Sequence, residues 1–193
     1  NQLVDLGGSA APRGGGMGRG MGMGGGMGMM ESMNGFLGDR ILVNGRPSAS
    51  RSLATRAYRV RLMNGSNSRV YKLAWSDGRA ITVIGTDGGL LERPVTRPYV
   101  TLAPGERVDT ILDLRETAVG TTLQLRSLAF PSRLFTGMMG GGGRGMRGAG
   151  GRAGGQADIP AQGAPLDVLA VRVDRREAAP FRLPAELSRY DAD

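Results

Sequence analysis

The chain has 193 residues, no His and no Cys, and a formal net charge of +8 from 25 Lys and Arg against 17 Asp and Glu. Without His or Cys there is no Ser–His–Asp or Cys–His triad, no zinc finger and no type 1 copper site, which needs two His and one Cys. Lys72 is the only lysine, and so pronounced an arginine skew reads as a trace of GC-rich coding sequence rather than as a nucleic-acid footprint.

Taken in chain order, Asn1 to Leu6 carries neither the basic nor the apolar region of a secretory leader. The chain begins without Met and reads as a fragment or a processed piece. No apolar run approaches the ~20 residues of a membrane span. Gly14 to Met30 then holds ten Gly, six Met and one Arg. Its thioethers, Met17, Met21, Met23, Met27, Met29 and Met30, are soft ligands that suit Cu(I). The competing reading is a flexible glycine-rich linker in which Met is incidental. Gly20 to Gly25 fits G-x-G-x-x-G, but no strand precedes it and no helix follows, so the dinucleotide reading fails.

Beyond this tract the pattern turns to short strands. Ile41 to Val43 stops at Asn44-Gly45, a turn dipeptide. Tyr58 to Leu62 alternates, with Tyr58, Val60 and Leu62 on one face. A second Asn-Gly at Asn64-Gly65 predicts another hairpin turn, although Asn64-Gly65-Ser66 also fits a glycosylation sequon. Tyr71, Leu73 and Trp75 share an inward face before the Asp77-Gly78 turn. Ile81 to Ile84 runs into the turn at Asp87-Gly88-Gly89. Tyr99 to Leu102 and Val108 to Leu114 follow. Asp109 and Asp113 occupy the solvated face of the latter, with Arg61 or Arg126 expected across from them. Thr122 to Leu128 and Leu166 to Val173 complete eight strands. Between these two lies a second tract, Gly137 to Gly155, with eleven Gly, three Met and three Arg. The tail, Pro180 to Asp193, reads as a linker with one helical turn at Ala185 to Leu187.

Eight strands, turn signals between most of them and no amphipathic helix predict an all-β Greek-key sandwich or barrel with two flexible Gly/Met/Arg-rich insertions. Its core should hold Tyr58, Val60, Leu62, Leu73, Trp75, Val83, Leu112 and Leu125. The expected organisation is a flexible lead-in at 1–35, the main part of the domain at 36–136, a loop at 137–163, a final strand at 164–175 and a linker toward a following domain at 176–193.

The run Ile41-Leu42-Val43-Asn44-Gly45, followed by Tyr58-Arg59-Val60-Arg61-Leu62-Met63-Asn64-Gly65-Ser66-Asn67, resembles the second, cupredoxin-like domain of bacterial three-domain multicopper oxidases of the laccase or cuprous-oxidase type. The likeness continues through Ser76-Asp77-Gly78-Arg79. It is sharpest at Val83-Ile84-Gly85-Thr86-Asp87-Gly88-Gly89-Leu90-Leu91 and closes at Leu102-Ala103-Pro104-Gly105-Glu106-Arg107-Val108-Asp109. The resemblance implies a periplasmic or secreted parent enzyme that oxidises phenols or cuprous ions and reduces dioxygen to water. Its copper would sit in the first and third domains, the two partners flanking this one. The middle domain would bridge them with no catalytic, cofactor or metal residue in its core, and the isolated chain would be inactive. A different class, an Arg/Gly-rich nucleic-acid-binding β module, rests on Arg13 to Gly20 and Gly143 to Arg152. Those segments lack the aromatic side chains on which bases stack.

Overall fold

In a computed structural model the described residues are 3–5, 36–131 and 159–189. Both glycine-rich tracts, and with them the six candidate methionines, lie outside the described residues. Among the described residues there are twelve strands: β1 (Leu3–Asp5), β2 (Leu42–Val43), β3 (Arg46–Pro47), β4 (Ser50–Ala54), β5 (Ala57–Met63), β6 (Tyr71–Trp75), β7 (Ile81–Thr86), β8 (Gly89–Arg97), β9 (Val100–Leu102), β10 (Arg107–Asp113), β11 (Thr122–Ser127) and β12 (Leu166–Arg175). β1, β3, β4 and β8 had no counterpart among the eight expected strands. β8 carries Pro94, which is tolerated because the strand lies at a sheet edge.

The strands form two five-stranded sheets, ordered β1-β5-β10-β7-β8 and β4-β12-β11-β6-β9, with β2 and β3 as a separate hairpin. The path crosses repeatedly between sheets, so that β10 returns between β5 and β7 and β12 returns between β4 and β11. Pairing is antiparallel except at β1 with β5 and β4 with β12. The β2–β3 turn places Asn44 and Gly45 at φ 52° and 76°, the two left-handed positions of a type I′ hairpin. At the β7–β8 turn the chain needs glycine for space: a Cβ on Gly85 would lie 2.8 Å from the carbonyl oxygen of Gly89.

The inner faces of the two sheets enclose one core that includes Leu62, Tyr71, Leu73, Trp75, Ile81, Val83, Val108, Leu112, Leu123, Leu125, Val171 and Val173. Each fully buried aliphatic side chain there contributes roughly 1.5–3 kcal/mol relative to exposure. Six of the eight expected core residues are buried, while Tyr58 and Val60 are half-buried against the core. For Tyr58 the reason is polar: its hydroxyl accepts from Ala54 N–H at 2.9 Å and donates back to Ala54 C=O at 3.3 Å, fastening the β4–β5 corner.

After β12 the chain runs along the outside of the first sheet. From Glu177 to Pro184 half-buried and exposed residues alternate strictly, the signature of an extended segment with one face against a surface. Phe181 and Leu183 are on the inner phase, Pro180 and Pro184 on the outer. Where a helical turn was expected at Ala185 to Leu187, the chain instead has a bend at Ala185 and no helix, and the Leu187 N–H donates to Glu92 C=O of β8 at 2.7 Å rather than within a turn of its own.

Candidate functional site

Among the described residues, no three or more His, Cys, Asp or Glu side chains come together in a way that could hold a metal ion. With neither His nor Cys in the sequence, the chain's donor set does not fit a type 1 or trinuclear copper centre. No described helix is long and apolar enough to cross a membrane.

The densest polar cluster lies where the described chain resumes after each glycine-rich tract, and it is organised by Asn64. This residue follows β5 and is fully buried. Its Nδ2 donates to the carbonyls of Arg69 at 2.7 Å and Leu102 at 3.0 Å, and its Oδ1 accepts from Ser66 N–H at 3.0 Å. The hairpin turn expected at Asn64-Gly65 is therefore absent. Neither residue has the positive φ seen at Asn44-Gly45, because the side chain is spent on tying β5, β9 and the β5–β6 loop together. Its burial also leaves the sequon reading without an accessible acceptor nitrogen.

Arg69, 3% exposed, extends this cluster. Its Nη2 donates to Gly38 C=O at 3.1 Å and its Nη1 to Ala161 C=O at 3.3 Å. One guanidinium thus holds the chain just after both tracts. Gln162 Oε1 accepts from Val70 N–H at 3.3 Å, and Phe130 N–H donates to Gly163 C=O at 3.1 Å, closing the second tract at its base. Gln162 Nε2 is buried without a hydrogen-bond partner among the described residues. Burial lowers the Arg69 pKa, opposed by the neighbouring Tyr71 phenol, yet a guanidinium stays charged in proteins. Burial also raises the Tyr71 pKa, against the opposing effects of the hydrogen bond between its hydroxyl and that of Ser66 at 3.1 Å and of the charge of Arg69. Chemically this cluster anchors; it presents no nucleophile paired with a base.

The outer face of the first sheet is laced with ion pairs. Asp109 contacts Arg59 and, at 3.4 Å, Arg61, the second of which was expected. Arg126 instead meets Asp167 at 2.7 Å, since β11 belongs to the other sheet. Asp113 meets Arg115 at 2.7 Å, and that hydrogen bond holds the Asp113 carboxyl below its ordinary pKa. Exposed pairs of this kind contribute about 0–1 kcal/mol each, so their role is positional. Arg115 also donates from Nη1 to Phe181 C=O at 3.0 Å and lies 5.5 Å from the centre of the Phe181 ring. Sequence reasoning singled out neither Arg69 nor Arg115. The available hint was Phe181-x-Leu183 set between two prolines, a period-two apolar pattern inside an apparent linker.

No protein-family model matches the chain. Among curated proteins, cell division protein FtsP of Pectobacterium atrosepticum is 39% identical over 113 residues, covering 54% of this chain and 24% of that protein. FtsP of Salmonella typhimurium is 48% identical over 80 residues, 42% of this chain and 17% of that protein. The chain thus spans a quarter or less of these relatives. Among solved structures, a variant of the McoA multicopper oxidase from Aquifex aeolicus superposes with a TM-score of 0.66 at 27% identity, over 98% of this chain and 35% of that one. The laccase-like oxidase CueO from Ochrobactrum sp. gives the same TM-score at 20% identity, over 99% of this chain and 34% of that one, a likeness of fold alone. The chain therefore has the all-β, cupredoxin-like fold of a multicopper oxidase domain.

Proposed function

We propose that this chain is the middle, bridging domain of a laccase-like multicopper oxidase, holding the copper-bearing domains on either side without binding copper in its own core. The observation that carries the reading is the pairing of a fold shared with a multicopper oxidase over 98% of the chain with a sequence that contains no His and no Cys. The chain's share of that oxidase, 35%, leaves room for two further domains of similar size. In this reading the parent is periplasmic or secreted and couples oxidation of phenols or cuprous ions to reduction of dioxygen to water. The six methionines from Met17 to Met30 assist by passing cuprous ions toward the neighbouring domain.

A second reading has its own support, the 48% identity to a cell division protein over 80 residues. Under it the same sandwich bridges domains of a division protein, and redox chemistry is no part of its work. One experiment separates the two. The intact parent protein is purified, reconstituted with copper and assayed for bound metal, for the intense blue absorption of type 1 copper and for oxygen uptake with a phenol or Cu(I). The oxidase reading expects copper, colour and turnover in the parent, with no colour in this chain alone. A parent without copper or turnover, whose deletion impairs division, selects the second reading. Blue absorption from the isolated chain would overturn the copper-free assignment itself.

A further inference from the structure

The segment 176–189 is fastened to the first sheet at successive points across its width. Beside the start of β5, Thr55 Oγ1 accepts from Glu177 N–H at 2.9 Å and donates to Glu177 C=O at 3.2 Å, while Arg56 pairs with Glu177 at 2.8 Å. Just past β10, Arg115 grips the carbonyl and ring of Phe181. Phe181 and Leu183 then line a shallow depression with Ala80, Thr82 and Ile111, on the outer face where β10 and β7 pair. At β8, Leu187 N–H donates to Glu92 C=O at 2.7 Å and Ser188 Oγ donates to Leu91 C=O at 3.1 Å. The strap therefore crosses β5, β10, β7 and β8 in the order in which they lie in the sheet. It delivers the chain to the β8 edge beside Leu90, which is 46% exposed.

We infer that this strap fixes the orientation of the neighbour that follows, with Arg115 as its positioning residue; the inference rests on the bridging reading. Pro180 and Pro184 fix φ on the solvent-facing phase, so the strap is stiff where the sheet does not hold it. Arg115 is the side chain that joins the sheet to the middle of the strap, between the contacts at Glu177 and Leu187. Its fork binds Asp113 with Nε and Nη2, and its Nη1 reaches Phe181 C=O. Lysine cannot make both sets of contacts at once. A tether clamped at Glu177, Phe181 and Leu187 transmits the sheet's orientation, whereas a free linker of the same length transmits none.

The test uses the intact protein and the variants Arg115→Leu, Arg115→Lys and Phe181→Ala. Hydrogen exchange reads the strap at the Leu187 amide and the fold at the Thr110 amide of β10. Small-angle X-ray scattering reads the arrangement of the domains. With Arg115→Leu, Leu187 exchange should rise at least tenfold, Thr110 should keep its protection, and the maximum particle dimension should grow. Phe181→Ala should act in the same direction, and Arg115→Lys should fall between wild type and Arg115→Leu. Leu187 protection that survives Arg115→Leu would overturn the role given to Arg115. Lost protection with unchanged scattering would overturn the orienting role of the strap. A wild-type protein that already scatters as independent, loosely tethered domains would instead remove the bridging reading beneath it.

Discussion

Replacing Asn64 by Ala is expected to be the most damaging single polar substitution in the sandwich. The change removes two donors and one acceptor, so Arg69 C=O, Leu102 C=O and Ser66 N–H each lose a partner held at 2.7–3.0 Å. Asn64 is fully buried, and water cannot replace those contacts without opening the β5–β6 loop. A buried main-chain group left unpaired costs about 1–3 kcal/mol; three of them, taken near the low end, give a loss of roughly 3–5 kcal/mol. That is a large part of the 5–15 kcal/mol that typically stabilises a domain, and at about 2–4 °C per kcal/mol it shifts Tm by on the order of 10 °C. The control is the other Asn-Gly pair: Asn44→Gly keeps a residue suited to φ 52° on the exposed hairpin and should change stability by less than about 0.5 kcal/mol. Urea unfolding followed by fluorescence of Trp75, the only tryptophan, measures both. A loss below about 1 kcal/mol for Asn64→Ala, or equal midpoints for the two variants, would refute the argument that burial and three saturated contacts separate two identical dipeptides.

Tyr71 should make the fold sensitive to alkali. Burial raises its pKa above the ordinary 10.0, so the unfolded phenol ionises first. The stability this provides is complete below pH 10 and is lost as pH rises through the folded value. Tyr71→Phe should cost about 0.5–1.5 kcal/mol at neutral pH through the lost Ser66 bond and should flatten the decline above pH 10; parallel declines in urea midpoint for the two proteins would exclude this origin. Replacing all six methionines from Met17 to Met30 by Leu in the intact protein should weaken cuprous oxidation while leaving oxidation of an organic phenol nearly unchanged. Equal loss of both activities would point to a damaged fold, and no loss of either would leave the tract a linker.

Much of the sandwich was legible in the sequence because alternation and turn residues act locally. Tyr71, Leu73 and Trp75 declare their inward face through a spacing of two, and Asn44-Gly45 forms the hairpin that its dipeptide favours. What was missed depends on partners far away in sequence. β4 reads as a polar stretch until β12, more than a hundred residues later, supplies its neighbour; Ala170 pairs with Ser50. β8 is obscured by Pro94, which only an edge position accommodates. Asn64 has the same local signal as Asn44, and its different fate follows from carbonyls contributed by Arg69 and Leu102. The anchoring role of Arg69 was hidden for the same reason, since Gly38 and Ala161 lie on opposite sides of it in the chain. The strap looked like a linker because its prolines are conspicuous, while its inner residues, Phe181 and Leu183, are few.

The position of β12 also constrains the order of folding during synthesis. It lies between β4 and β11, so when the ribosome has completed β11 the second sheet still lacks an inner strand, and β4 waits with no neighbour in its own sheet. The 38 residues separating Ser127 from Leu166 include the second glycine-rich tract. Chain entropy penalises such a closure only logarithmically, by roughly 1.6 kcal/mol more than a loop of about six residues. Equilibrium stability is thus nearly indifferent to the length of that insertion. Each added residue does lengthen the interval in which the β4 and β11 edges stand open to other chains, so growth of the tract should show itself first in yield and aggregation during expression rather than in the melting temperature of the finished protein.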